Sequence, residues 1–178
     1  MIKLSWIVFD LVTATMPYDS HFWDGFKANT PIFPFRLLHC PPSLGQEDGE
    51  NRQLGISAHR DFGAITLLLQ DGHAGLEVQD QETGEWIGVP ADRNAYVINM
   101  GQMMSRITGG QYKSSLHRVV NRNSTDRYSV VLFVDGNLVF ELRQLDKKPE
   151  EDEDAPTVAQ HFRSRLMASY KLPREHWS

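Results

Sequence analysis

Two residues separated by a single position, His59 and Asp61, carry side chains that bind metal ions. In an extended strand, residues two apart project from the same face, so both can reach one point while Arg60 turns away. His117 lies in the apolar, β-prone run 115–119, where a buried imidazole needs a partner for each nitrogen, and a metal ion supplies one. Two histidines and a carboxylate suit non-haem Fe(II), because they occupy one face of an octahedron and leave the other positions open. Zinc enzymes use similar ligands, so these residues alone do not name the metal.

Arg127 and Ser129 repeat the same spacing and predict a receptor for a carboxylate. A buried guanidinium is costly without an anion, whereas an arginine and a serine on one strand face offer a carboxylate charge-assisted hydrogen bonds, each worth about 1.5–3 kcal/mol. Together the two sets of residues predict a dicarboxylate that chelates the metal at one end and meets Arg127 and Ser129 at the other. Taken separately, each motif also fits a structural role: a surface turn, a satisfied core histidine or an arginine on an exposed strand edge.

The composition limits the class of protein. The 178 residues predict one domain with a proper core, and the net charge of −5 excludes a strongly basic nucleic-acid binder. Because Cys40 is the only cysteine, an intrachain disulfide and a cysteine-rich zinc site are excluded, and a reducing, cytoplasmic compartment is expected. No run of about 18 apolar residues occurs, so no membrane partner is expected. Asp10 interrupts the apolar stretch of residues 1–17, which predicts a partly buried helix rather than an export signal.

Short β-prone runs separated by turn residues fill the middle of the sequence. This regular spacing predicts a sandwich or a barrel rather than βαβ units. The predicted strands are residues 35–39, 65–70, 76–79, 86–89, 95–99, 116–120, 128–134 and 138–140. A short helix is expected over residues 19–29, and a C-terminal helix from Val158 that packs one face, including Phe162 and Tyr170, on the body. The charged tract 147–154 is interpreted as a solvated linker.

Six ordered blocks resemble the Fe(II)- and 2-oxoglutarate-dependent dioxygenases of the isopenicillin N synthase-like superfamily. The blocks are FRLLHCPP at 35–42, AHRDFGAITLLLQD at 58–71, GLEVQ at 75–79, GEWIGVP at 84–90, GQYKSSLHRVV at 110–120 and RYS at 127–129. The resemblance extends from about residue 18 to residue 142. The order and separation of the blocks make it specific, whereas no single block would.

This resemblance implies a mainly β fold, a double-stranded β-helix or jelly roll with short N-terminal helices and one C-terminal helix. The expected segments are a helical N-terminal part at 1–34, the oxygenase core at 35–145, and a charged linker with the C-terminal helix at 146–178. The implied activity is oxidation of a C–H bond of a small organic molecule in specialised metabolism. O2 and 2-oxoglutarate would be consumed, and succinate and CO2 would be formed.

The resemblance also assigns roles to individual residues. The implied ligands of Fe(II) are His59, Asp61 and His117. Arg127 and Ser129 would bind the distal carboxylate of 2-oxoglutarate. Phe133, turned inward by the strand period of two from Ser129, would lie near the substrate.

The N-terminal region departs from the family pattern. Members usually carry a substantial helical region packed on the outer face of the larger sheet, and only residues 1–34 precede the core here. An uncovered sheet face leaves apolar surface in water, which usually finds a partner. We therefore expect Ile2–Ala14 to cover part of this face and a homo- or hetero-oligomer to cover the rest. A truncated version of a longer sequence is the competing explanation.

Three further departures concern the surroundings of the iron site. Cys40 stands where many relatives carry a tyrosine that contacts the co-substrate, Gln102 replaces a frequent aspartate, and Arg106-Ile107 replaces a frequent Arg-Trp pair. Two alternatives to the leading hypothesis remain open. One is an oxidase of the same superfamily that does not use 2-oxoglutarate, and the other is a non-catalytic or partner-dependent subunit that stabilises a related dioxygenase.

Overall fold

Eight strands and four α-helices make up the ordered elements of the described residues. The computed structural model describes residues 1–17, 19–42 and 55–170. The strands are β1 (Phe35–Cys40), β2 (Ile56–His59), β3 (Ile65–Gln70), β4 (Leu76–Gln79), β5 (Trp86–Gly88), β6 (Tyr96–Met100), β7 (His117–Val119) and β8 (Arg127–Val134). The helices are α1 (Ile2–Ala14), α2 (Asp24–Lys27), α3 (Gln102–Ile107) and α4 (Val158–Tyr170), with 3-10 turns at Ser20–Trp23 and Pro149–Glu151.

The strands form two antiparallel sheets that enclose a cavity. The larger sheet has the order β1-β8-β3-β6 and the smaller sheet the order β2-β7-β4-β5. Leu38 and Leu68 of the larger sheet line the cavity together with Leu76 and Val119 of the smaller sheet. The predicted mainly β, jelly-roll architecture is therefore confirmed.

The register between β3 and β8 decides which side chains reach the cavity. Thr66 lies opposite Phe133, and Leu67 lies opposite Leu132. Because side chains alternate along a strand, the first pair faces the cavity and the second pair faces outward. A slip of β3 by one residue would turn Thr66 toward the helix-covered outer face and Leu67 into the cavity, so the burial of Ile65 and Leu67 under the helices holds the register in place.

Helices cover one half of the outer face of the larger sheet. Ile65 and Leu67 of β3 are fully buried in a core that includes Phe9 of α1 and Met103 of α3. The ring of Phe9 stacks on the ring of Phe26 with 5.1 Å between centroids. Burying each such side chain contributes about 1.5–3 kcal/mol, so α1 is a packed part of the fold. It covers part of this face, as expected.

The other half of the same outer face is exposed. Phe35 and Leu37 of β1 are 53% and 73% exposed, and Tyr128 of β8 is 53% exposed. On α1, the side chains of Ile7 and Leu11 are more than half exposed as well. We call these five side chains, Phe35, Leu37, Tyr128, Ile7 and Leu11, the exposed apolar face.

The predicted strand at 138–140 is wrong, because these residues form a turn after β8. The ring of Phe140 instead packs edge-on against Phe22 and Phe26, so this apolar side chain belongs to the N-terminal core and not to a sheet.

β2 is not predicted from the sequence, because it lacks the alternation of β-branched and aromatic residues that marks strands. The other strands agree with the predictions to within two residues at each end.

α4 packs on the body through its N-terminal half. Val158 is fully buried and Phe162 packs against the core, as predicted, whereas Tyr170 is 65% exposed. The charged tract before α4 is anchored as well as solvated, because Asp152 accepts a hydrogen bond from Nη2 of Arg106 at 3.0 Å. No described helix combines the length and the hydropathy of a transmembrane segment.

Candidate functional site

His59, Asp61 and His117 meet at one point between the sheets. The Nε2 atoms of His59 and His117 lie 3.6 and 3.7 Å from Oδ1 of Asp61. One possible ligand atom from each residue lies within 4.8 Å of the other two. Neighbouring ligand atoms that each sit about 2.0–2.2 Å from one ion lie roughly 3–3.5 Å apart, so small side-chain movements would bring these atoms to a common ion. The three residues that the sequence singles out can therefore hold one metal ion.

Backbone carbonyl groups orient both imidazole rings. Nδ1 of His59 lies 2.8 Å from the oxygen of Ser57, and Nδ1 of His117 lies 3.2 Å from the oxygen of Ser115. A carbonyl oxygen only accepts, so Nδ1 donates in each ring and Nε2 keeps its lone pair for the metal. Burial lowers the pKa of His117 below its usual value, although the carboxylate of Asp61 opposes this effect. His117 is therefore neutral near pH 7, as a ligand must be.

Two side chains of the larger sheet fix the carboxylate of Asp61. Oγ1 of Thr66 and Nδ2 of Asn99 donate hydrogen bonds of 2.6 and 2.8 Å to Oδ2. Both donors act on the same oxygen, which leaves Oδ1 for the ion. Neither Thr66 nor Asn99 is predicted from the sequence as part of the site. The available signal is that Thr66 is a polar residue inside the apolar strand β3, at a position that faces the cavity.

Asp61 lies in the connection between the two sheets, and not in a strand with His59. β2 ends at His59, so the expected extended His-x-Asp strand is wrong in its second half. The backbone of Asp61 is held instead by the start of α3, where the amide of Gln102 donates to its carbonyl at 2.8 Å. At residue 101 only glycine fits, because a Cβ there would collide with the carbonyl oxygen of Gly63. The close approach of these two loops therefore positions the carboxylate.

Arg127, the first residue of β8, is fully buried, and one end of its guanidinium has no partner among the described residues. Its Nε donates to the carbonyl of His73 at 3.2 Å, and its Nη2 donates to Oε1 of Gln70 at 2.8 Å. Nη1 is buried without a hydrogen-bond partner among the described residues. Ser129 projects from the same face of β8 and lines the cavity between the sheets. A free guanidinium donor next to a hydroxyl fits one carboxylate of a dicarboxylate.

Two cavities meet at His59 and Asp61, and His117 borders the inner one. The inner cavity, of about 180 Å³, lies between the sheets and includes Ser129. The outer cavity, of about 360 Å³, lies between the ligand loop and α4 and includes Phe162. His59, Asp61 and Phe133 border both cavities, and the role of Phe133 near a substrate stays a prediction. Arg60, expected to turn away from the site, lines the outer cavity instead.

Asp135 carries a buried carboxyl group that is not predicted from the sequence as part of the site. It follows β8, is 1% exposed, and lines the outer cavity. Neither of its oxygens has a hydrogen-bond partner among the described residues. Burial, with a smaller contribution from the charge of Asp61, raises its pKa to about 7. Gly63 makes room for it, because a Cβ at residue 63 would collide with Oδ1 of Asp135.

The three departures from the family pattern have structural roles. Cys40 is buried at the end of β1, directly opposite Arg127 in the register. Arg106 donates from Nε to the carbonyl of Leu142 at 2.9 Å, and Ile107 is fully buried in the core. Oε1 of Gln102 is buried without a partner among the described residues. None of these side chains belongs to the cluster of candidate metal ligands.

We expect Asp135→Asn to stabilise the metal-free protein in a pH-dependent way. The folded pKa of Asp135 is raised, so the wild type loses stability as the pH rises from about 4 to 7, whereas asparagine has no charge to bury. At pH 8 the variant should melt about 4 °C or more above the wild type, and at pH 4 the difference should be small. Thermal unfolding at both pH values measures this difference. The exposed control Asp92→Asn should change neither value, and an equal effect of Asp135→Asn at both pH values contradicts the prediction.

Comparison with known proteins gives the family. The model of the 2OG-Fe(II) oxygenase superfamily matches residues 34–136. The chain is 60% identical over 174 residues to the 2-oxoglutarate-dependent dioxygenase citB of Monascus ruber. This alignment covers 97% of this chain and 53% of the relative. It is 50% identical over 175 residues to the clavatol oxidase claD of Penicillium crustosum, covering 97% of this chain and 52% of the relative. The chain therefore spans about half the length of these curated relatives.

Solved structures show the same fold. A 2OG-Fe(II) oxygenase family protein from Caulobacter crescentus superposes with a TM-score of 0.67 at 30% identity, covering 83% of this chain and 49% of the other. A Neurospora crassa protein in complex with alpha-KG and thymine gives a TM-score of 0.66 at 25% identity over 85% of this chain and 48% of the other. With the family model matching more than half of its residues, the chain belongs to the 2OG-Fe(II) oxygenase superfamily.

Proposed function

We propose that this chain carries the catalytic core of an Fe(II)- and 2-oxoglutarate-dependent oxygenase that oxidises a C–H bond of a small organic molecule. The observation that carries the proposal is the convergence of His59, Asp61 and His117 where two cavities meet. One cavity suits a co-substrate and the other suits a substrate, so a metal bound at their junction would contact both.

His59, Asp61 and His117 would hold the iron through two Nε2 atoms and one Oδ1 atom. When bound, the ferrous ion and 2-oxoglutarate supply the oxidising chemistry, with O2 consumed and succinate and CO2 formed. The protein contributes orientation. Thr66 and Asn99 keep Oδ1 of Asp61 turned to the ion, since both bind the other oxygen. Ligands fixed in this way need little rearrangement when the metal enters.

The inner cavity would bind 2-oxoglutarate. Ser129 lines this cavity, and Arg127 has a free Nη1 donor for the distal carboxylate. Apolar side chains, among them Leu68 and Val131, form most of the remaining wall and keep water from the chelated end. Gln70 and the backbone of His73 hold the other donors of Arg127, so the guanidinium is oriented before the ligand arrives.

The outer cavity would bind the substrate, with Phe133 as part of its wall. Its volume of about 360 Å³ falls in the range of small-molecule sites. A role in specialised metabolism is supported by the name of one relative, clavatol oxidase of a Penicillium species. The proposed segments are a helical N-terminal part at 1–34, the oxygenase core at 35–145, and a linker with the C-terminal helix at 146–178. The free thiol of Cys40 is compatible with a reducing, cytoplasmic compartment, which we also propose.

A partner-dependent subunit is the second candidate function. The observation that favours it is the exposed apolar face on the larger sheet, because apolar patches of this kind usually mark a protein contact. We propose that a second copy of the chain covers this face. The face has members on both the sheet and α1, and β1 is an edge strand of the larger sheet, so a two-fold contact would bury the same side chains of both copies. A different protein is the alternative occupant.

The iron site is tested by anaerobic titration with Fe(II) and then with 2-oxoglutarate. We expect the wild type to develop the visible charge-transfer band of the iron chelate, and Asp61→Ala to develop none, because two imidazoles alone chelate iron too weakly. The exposed control Glu82→Ala should behave like the wild type. Turnover without succinate formation would point to an oxidase that does not use 2-oxoglutarate, and a folded wild type without the band would overturn the proposal.

Substitution of Arg127 tests the proposed binding of the distal carboxylate of 2-oxoglutarate. We expect Arg127→Leu to raise the apparent dissociation constant for 2-oxoglutarate by about tenfold or more, because a charge-assisted pair is lost. The same anaerobic band, followed against 2-oxoglutarate concentration, measures this change. Since Arg127 also binds Gln70, Arg127→Lys serves as a second variant that keeps the charge, and Ser129→Ala should weaken binding less. Unchanged affinity for 2-oxoglutarate in a folded Arg127→Leu protein refutes the role of Arg127 in binding this carboxylate.

Oligomeric state tests the exposed apolar face. Light scattering of the purified chain should give twice the mass of one chain, and Leu37→Asp should shift the protein to the monomer because it places a charge in the contact. Ile87→Asp is the matched control, since Ile87 is similarly exposed but lies on β5 of the smaller sheet. A wild type that stays monomeric at all concentrations rejects the two-fold contact.

A further inference from the structure

Asp135 places a buried carboxyl group beside the outer cavity, and the proposed iron chemistry does not use this group. Its carboxyl is 1% exposed and has no hydrogen-bond partner among the described residues, although it borders the cavity. A buried polar group without a partner destabilises a folded protein, so it is rare unless something else binds it. Gly63 leaves room for Asp135 against the loop that carries Asp61. The carboxyl is therefore close to the place where a substrate would be oxidised.

Aromatic rings form much of the remaining wall of this cavity. Phe62, Phe133 and Phe162 belong to three different parts of the fold, the ligand loop, β8 and α4. The rings of Phe62 and Phe162 meet edge to face with 6.3 Å between centroids. Such walls favour a flat, aromatic ligand, which can stack or make edge contacts with each ring. The volume of about 360 Å³ is sufficient for a molecule of two fused rings.

The charges around the cavity decide which donor Asp135 can receive. Arg36 and Arg60 also line it, and the guanidinium of Arg36 lies 5.6 Å from the centre of the Phe133 ring. Two guanidinium groups oppose the entry of a cationic ligand such as an ammonium, whereas they favour a neutral or weakly acidic one. An aromatic hydroxyl meets both conditions, because it donates a strong hydrogen bond to a carboxylate and carries no positive charge.

We propose that Asp135 is a specificity-determining residue that accepts a hydrogen bond from the hydroxyl group of an aromatic substrate in the outer cavity. The proposal rests on the proposed function, since it concerns the substrate of that same site. It assigns a class, the hydroxylated aromatic compounds, and orients the ring between the three phenylalanines with its hydroxyl toward Asp135. The oxidised carbon would then lie on the part of the molecule turned toward His59 and Asp61.

Three naphthalenes of matched shape test this assignment in the protein loaded anaerobically with Fe(II) and 2-oxoglutarate. They are 2-naphthol, 2-methoxynaphthalene, which cannot donate, and 2-(aminomethyl)naphthalene, which is cationic. Equilibrium dialysis of each probe at pH 8, where the Asp135 carboxyl with its pKa of about 7 is mostly ionised, should show 2-naphthol binding about tenfold more tightly than the other two, as expected for a hydrogen bond to a charged acceptor. Asp135→Asn should remove most of this preference and leave the affinity for 2-methoxynaphthalene unchanged. The exposed control Asp92→Asn should keep the wild-type pattern.

Other outcomes overturn the proposal in distinct ways. Equal binding of 2-naphthol and 2-methoxynaphthalene to the wild type, or no binding of either, rejects the hydroxyl contact without use of any variant. Tightest binding of 2-(aminomethyl)naphthalene, lost in Asp135→Asn, would assign a cationic substrate instead. Equal weakening of all probes in Asp135→Asn would make the residue structural. The charge-transfer band, read in each sample before dialysis, separates these failures from a failure of the iron and 2-oxoglutarate function, which would show as a missing band.

Discussion

The candidate metal site depends on one crossing of the backbone from the smaller sheet to the larger one. β2 of the smaller sheet ends at His59, and the chain then passes through Asp61 into β3 of the larger sheet. Hydrogen bonds from Thr66 and Asn99 hold the carboxylate on the larger sheet, while His117 begins β7 on the smaller one. Because both histidines lie on the smaller sheet and the carboxylate of Asp61 is held by the larger one, the packing that keeps the sheets together also sets the distances between ligand atoms.

The interior keeps polar groups whose partners it does not supply. Nη1 of Arg127 and both oxygens of Asp135 are buried without hydrogen bonds among the described residues. Each such group lowers the stability of the protein alone, and a bound ligand that satisfies it raises the stability again. Arg127 is two residues from Ser129, which lines the inner cavity, and Asp135 lines the outer one, so a cationic group and an acidic group lie on different sides of the candidate ligands. This division suits two ligands of different chemistry.

The walls of the two cavities have different origins. The inner cavity is enclosed by strands of both sheets, whose register is held by many hydrogen bonds. The outer cavity is bordered by the ligand loop and by α4, of which Phe162 and Leu166 form part of the wall. Loops and terminal helices change more easily than sheets do. The fold therefore places an inner cavity enclosed by two sheets beside an outer cavity whose wall changes more easily.

The sequence by itself determined most of the strand pattern and the C-terminal helix, and it singled out the candidate metal and carboxylate ligands, His59, Asp61, His117, Arg127 and Ser129, because periodicity and spacing are local properties of the chain. It also placed Phe133 on an inward-facing position. Only the tertiary structure decided that Thr66 and Asn99 act on Asp61 and that Asp135 has no partner among the described residues, since hydrogen bonds between residues distant in sequence follow from how the sheets pack. The turn at residues 138–140 was settled in the same way: its apolar side chains look like those of a strand, and whether they join a sheet or an aromatic core depends on which neighbours folding brings to them.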